Sequence, residues 1–84
     1  MISLLHINYL GSKQFSISFS DGAQGNFDLE TYLSSRQGSL LIPLQSDSYV
    51  SRAFIEAGAL AWPNGLEISP QRIYEVTQMI RHAA

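Results

Sequence analysis

The sequence predicts an α+β fold: an antiparallel β-sheet built from hairpins as a meander, with a short middle helix and a C-terminal helix. Three observations carry this expectation. Apolar and polar residues alternate in two stretches near the start, the period of a strand covered on one face. Three segments reach a glycine where a tight turn would close, at Gly22, Gly58 and Gly65. Finally, Ser69-Pro70 opens a stretch with apolar residues at helical spacing.

Size and composition allow one such domain. The chain has 84 residues, 45% hydrophobic and 14% charged, with one Trp, four Tyr and four Phe. That is enough for one core and too little for two, so residues 1–84 read as a single domain that folds without a staple. With no cysteine, neither a disulfide framework nor a thiolate metal site is available. No apolar stretch approaches the ~20 residues that cross a bilayer, and the start Met1-Ile2-Ser3-Leu4-Leu5-His6 lacks a leader pattern, so the expected setting is cytoplasmic. Net charge is −2 and Lys13, Arg36, Arg52, Arg72 and Arg81 are scattered, whereas direct nucleic-acid binding calls for a clustered basic face.

Taken in order, Leu5, Ile7 and Tyr9 alternate with His6 and Asn8 as a first strand that Gly11-Ser12 ends. Phe15, Ile17 and Phe19 alternate with Ser16, Ser18 and Ser20 as a second. The turn that follows is fixed by register. A two-residue Asp21-Gly22 turn would throw Phe27 onto the serine face. A three-residue loop, a type I turn closed by left-handed Gly22, pairs Phe19 with Ala23, Ile17 with Gly25 and Phe15 with Phe27. The same rule applied to Glu56-Ala57-Gly58 and Pro63-Asn64-Gly65 pairs Phe54 with Leu60, Trp62 with Leu66 and Leu60 with Ile68. Strands are then expected near 52–55, 59–62 and 66–68, with Phe54, Leu60, Trp62, Leu66 and Ile68 on one face.

Asp28 is placed to cap a short helix running to about Arg36, with Leu29, Tyr32 and Leu33 inward and Gly38 as its stop. The apolar run Ser39–Gln45 is spoiled as an interior strand by Pro43, and Ser46 or Asp47 can cap a single turn through Val50. The C-terminal helix is expected from the Ser69 cap through about Arg81, with Ile73, Val76 and Ile80 inward. The chain then ends with this one helix, leaving no room for an appended DNA-binding unit.

No catalytic, cofactor or metal motif appears. His6 and His82 stand far apart in sequence and read as an exposed strand histidine and a helix-end cation. Twelve serines lack a positioned base, and Gly22-Ala23-Gln24-Gly25 is hairpin geometry rather than a nucleotide loop. Most acidic residues have turn or capping work; Glu67, on the strand face opposite Leu66 and Ile68, reads as a solvated residue facing Ala61. Trp62 beside its tight turn reads as core, with a ligand surface as the competing reading.

The combination of Phe19-Ser20-Asp21-Gly22, Phe27-Asp28-Leu29, Trp62-Pro63-Asn64-Gly65, Glu67 and Pro70 resembles the bacterial family of the domain of unknown function DUF2442 over nearly the whole chain. One departure is Glu67, where the family pattern favours aspartate. The resemblance implies an α+β fold with an antiparallel sheet and no established enzyme activity. It also implies a helix-turn-helix domain appended in some longer relatives and, for short ones, a place beside another small protein in toxin-antitoxin-like pairs.

The expected function is therefore a non-enzymatic protein-interaction domain, one component of a two-protein system or a homo-oligomer, with a protein partner or self-association, no cofactor and no membrane. The motivation is the lack of chemistry together with strand edges that carry few guarding charges. The alternative is a small-molecule or anion site, or a catalytic one, in a cleft between the Trp62–Gly65 turn and the C-terminal helix, with Trp62, Asn64, Glu67 and Arg72 as its candidate surface.

Overall fold

A computed structural model describes residues 1–79. The fold is α+β, and its strands form two antiparallel sheets rather than one. The first has β1 (Leu4–Gly11), β2 (Gln14–Phe19), β3 (Gln24–Asp28) and the short β7 (Gln78–Met79) in the order β1-β2-β3-β7; the second has β4 (Phe54–Glu56), β5 (Ala59–Ala61) and β6 (Glu67–Ile68) in that order. Between them in the chain lie α1 (Leu29–Ser34), a 3-10 helix over Ser39–Gln45 and α2 (Asp47–Val50), and α3 (Pro70–Val76) precedes β7.

The β2–β3 hairpin has the expected register. Phe15 faces Phe27 and Ile17 faces Gly25, while the Phe19 amide donates to Ala23 O at 2.9 Å and the Gly22 amide to Phe19 O at 3.0 Å. Gly22 sits at φ +90°, the left-handed region where a Cβ costs energy. The β5–β6 turn obeys the same rule: the Trp62 amide donates to Leu66 O, Gly65 has φ +92°, and Leu60 faces Ile68.

The middle turn departs from it. Phe54 faces Ala61 and Ile55 faces Leu60, one step away from the expected pairing. Ala57 at φ +51° and Gly58 at φ +82° form a two-residue loop with both central residues left-handed, the type I′ pattern. The physical reason is burial. This register turns half-buried Ile55 toward the core cluster and leaves Phe54 40% exposed, and the close approach of Ser3 leaves no room at the turn for a longer loop to spread: a Cβ on Gly58 would stand 2.8 Å from Ser3 Cβ.

β1 also differs from a simple alternation. A register shift between Leu4 and His6 turns Leu4 inward (2% exposed) and throws Leu5 outward (53% exposed). Two bonds anchor the start of the strand: the Leu4 amide donates to Gly58 O at 2.8 Å, and the Ser20 amide to Ser3 O at 2.8 Å. At its other end Ser12 and Lys13 close the β1–β2 hairpin with positive φ despite carrying side chains.

Both main helices are shorter than the sequence suggests. Asp28 caps α1 as expected, accepting from the Thr31 amide and hydroxyl, but the helix stops at Ser34 rather than Arg36 because the Ser35 amide already turns back to Leu33 O. Ser69 caps α3 through the Arg72 amide, and Pro70 is its first residue. The helix ends at Val76, not Arg81: Thr77 is extended and the chain joins the first sheet opposite Gly25 and Asn26. Within α3, Ile73 is buried as expected, whereas Val76 is 46% exposed. The expected helical placements of Ile80, Arg81 and His82 lie outside the described residues.

Phe15, Ile17, Phe19 and Phe27 from the first sheet meet Leu60 and Ile68 from the second, and Trp62 just after β5, in one cluster closed by Leu29, Leu44, Val50 and Ile73. Each such side chain contributes roughly 1.5–3 kcal/mol when fully withdrawn from water. Trp62 is the largest of them; its ring lies edge-on to Phe15 with centroids 6.4 Å apart, and its indole N–H donates to Val50 O at 3.2 Å.

Candidate functional site

Because one face of the first sheet is spent on the core, the other is free, and period-two geometry decides what it carries. His6, Ser18 and Gln24 form one row across β1, β2 and β3; Asn8, Ser16 and Asn26 form the next; Gln14 and Asp28 form the third. The face therefore carries amides, hydroxyls and the His6 imidazole, with Asp28 at one end. A shallow depression of about 230 Å³ is lined by His6, Asn8, Ser16, Ser18 and Gln24. The Ser18 hydroxyl is withdrawn from solvent and, among the described residues, has no hydrogen-bond partner.

Among the described residues strand order makes β1 an edge, with β2 as its ladder partner. Between Leu4 and Gly11 it contains no Lys, Arg, Asp, Glu or Pro, the residues by which edges are usually blunted. Leu5 and Leu10, 53% and 54% exposed, flank its middle. The inward side of the strand is fixed: Tyr9 stacks on Phe15 at 4.9 Å, donates its hydroxyl to the Asp47 carboxylate and accepts from the Lys13 amide at 3.0 Å. Burial pushes the Tyr9 phenol up, and the Asp47 bond pushes it further, so it stays a donor.

The four residues singled out from sequence are not gathered by the fold into one cleft. Trp62 is core. Asn64 is consumed by its turn: its amide Nδ2 donates to Leu40 O at 3.0 Å, its Oδ1 accepts from the Leu66 amide at 3.1 Å, and its backbone N–H donates to the Tyr49 hydroxyl at 2.9 Å. Glu67 is exposed opposite Ala61, as its strand parity indicates. Arg72 lines a different cleft, in company with Gln14, Asn26, Asp28, Tyr32 and Arg36. Sequence reasoning missed that grouping because its members come from β2, β3, α1 and α3, and no spacing links them.

In that cleft the Asp28 carboxyl is held below the usual range, first by the Thr31 hydroxyl and then by further donors that include the Gln14 side chain. The Arg36 guanidinium lies 4.6 Å from the centre of the Tyr32 ring, and Arg72 pairs with Glu75 at 3.4 Å on the helix surface. Among the described residues no group of three His, Asp or Glu stands close enough together to hold a metal ion, and no helix is long and apolar enough to cross a membrane.

These features define a small two-sheet α+β domain with one polar sheet face, an edge strand without charged residues or proline, and a mixed-charge cleft. The chain belongs to the DUF2442 family: the model described as "Protein of unknown function (DUF2442)" matches residues 6–77. Neither the curated proteins nor the solved structures gave a match.

Proposed function

We propose that the protein is a non-enzymatic interaction domain that docks another polypeptide by strand addition at the β1 edge, and that the occupant is a second copy of the chain. The observation that carries this is the edge itself: beyond Leu4, whose amide is bonded to Gly58 O, the strand is free of charged guards and exposes Leu5 and Leu10. An antiparallel pairing about a two-fold axis at Asn8 keeps each sheet face continuous, sets Ile7 of one chain opposite Tyr9 of the other and Leu10 opposite His6, and sets no like charges against each other.

Light scattering on the size-exclusion peak tests the reading, both alone and with the product of the neighbouring gene. The expected result is a mass of two 9.3 kDa chains that falls to one when Asn8→Lys and Leu10→Lys are introduced. Capture of the neighbouring product through β1 would keep the docking reading and replace its occupant, in the manner of a toxin-antitoxin-like pair. A monomer at every concentration that ignores that product would remove it.

A further inference from the structure

The cleft at the far end of the polar face carries a second and independent reading. Its volume, about 440 Å³, falls in the ~300–1,000 Å³ range of small-molecule sites. Two of the five cationic side chains of an acidic protein line it, Arg36 following α1 and Arg72 from the first turn of α3. Among the described residues one ionised carboxylate, Asp28, stands against them, so two positive charges and one negative leave that lining at +1. Glu75 neutralises Arg72 only from outside the lining, through a pair whose side chains are 48% and 65% exposed, so water and salt screen it. Tyr32 and Val76 supply the apolar part of the wall, and the Tyr32 ring holds the Arg36 guanidinium over its face.

We propose that this cleft binds a small organic carboxylate, with Arg36 and Arg72 taking the carboxylate oxygens and Tyr32 and Val76 covering its apolar body. Guanidinium groups match a carboxylate in plane and spacing, and forked pairs are stronger than neutral hydrogen bonds. The single surplus positive charge fits one carboxylate. A phosphate dianion would overfill it and meet Asp28.

Amide chemical-shift titration of the whole chain with benzoate, benzamide and inorganic phosphate tests this. Benzoate is expected to shift the amides of Gln14, Asn26, Thr31 and Arg72 with a midpoint on the order of 1 mM, with phosphate at least about tenfold weaker and benzamide without effect. Arg36→Gln and Arg72→Gln should each weaken benzoate by about tenfold or more, while Arg52→Gln, whose side chain lies over Tyr49 instead, should not. The benzoate and benzamide comparison on the unaltered chain stands even where a variant folds poorly. No saturation below about 20 mM benzoate, an equal response to benzamide, or tighter binding of phosphate would overturn the proposal.

Discussion

The β2–β3 and β4–β5 hairpins each close on a left-handed glycine, yet their loops differ by one residue. At Ser20–Gly22 the longer loop lets Phe15 and Phe27 share the inner face, and it is braced by Asp21, which accepts from the Ala23 amide at 2.9 Å and from the Tyr74 hydroxyl at 2.8 Å. At Ala57–Gly58 the shorter loop puts Ile55 opposite Leu60 and turns Phe54 away. It is held instead by its neighbours, with Ser3 packed against Gly58 and the Leu4 amide bonded to Gly58 O. A glycine therefore announces a turn, but the residues that must be buried choose its length.

The largest expected effect separates the two registers. Phe27→Ala should cost about 3–5 kcal/mol in urea unfolding, because a fully buried ring is lost. Phe54→Ala, on the outward side of the slipped register and 40% exposed, should cost about 1–2 kcal/mol. Similar costs for the two would mean that Phe54 is core after all.

Next come the glycines. Gly22→Ala meets open space and only the left-handed penalty, so it should cost about 1–2 kcal/mol. Gly58→Ala adds a collision with Ser3 Cβ to the same penalty and should cost about 2–4 kcal/mol. The opposite sign is expected one residue earlier. Ala57 holds φ +51° with a side chain, so Ala57→Gly should stabilise the fold by about 1 kcal/mol, read as a higher urea midpoint with an unchanged slope.

The smallest effect is a pH dependence at the braced turn. The Ala23 amide, and then the Tyr74 hydroxyl, hold the Asp21 carboxyl below its usual range, while the same bond raises the Tyr74 phenol. The stability from Asp21 is thus present above about pH 4, where the unfolded carboxyl ionises, and is lost as pH falls through the lower folded value. That from Tyr74 is present below about pH 10 and is lost as pH rises through the higher folded value. Asp21→Asn should therefore lower the melting temperature at pH 7 and lose that difference toward pH 3. An unchanged difference at low pH would show that the bond does not depend on charge.

How much of this was legible in the sequence follows from the range of the forces involved. The Phe19–Ala23 turn, the Asp28 and Ser69 caps and the Trp62–Leu66 pairing are decided within a few residues, and they stand as expected. The end of α3 is decided by a distant element: Gln78 and Met79 pair with Asn26 and Gly25, an option that helical spacing alone does not reveal. Leu5 is similar, because the register shift that exposes it belongs to the ladder with β2 and to the anchoring of Leu4 on Gly58. The candidate site was the least legible part. Trp62 and Asn64 looked conspicuous because the fold needs them, whereas the cleft around Arg72 draws on segments far apart in the chain.

Amide hydrogen exchange along β1 tests most directly the claim that folding leaves this edge open for another chain. In dilute protein the amides of residues 5–10 that point away from β2 should exchange rapidly, while those bonded to β2 are slow, and raising the protein concentration should slow the first set selectively. Uniform protection in dilute solution, or outward amides whose exchange ignores concentration and the neighbouring gene product alike, would contradict it.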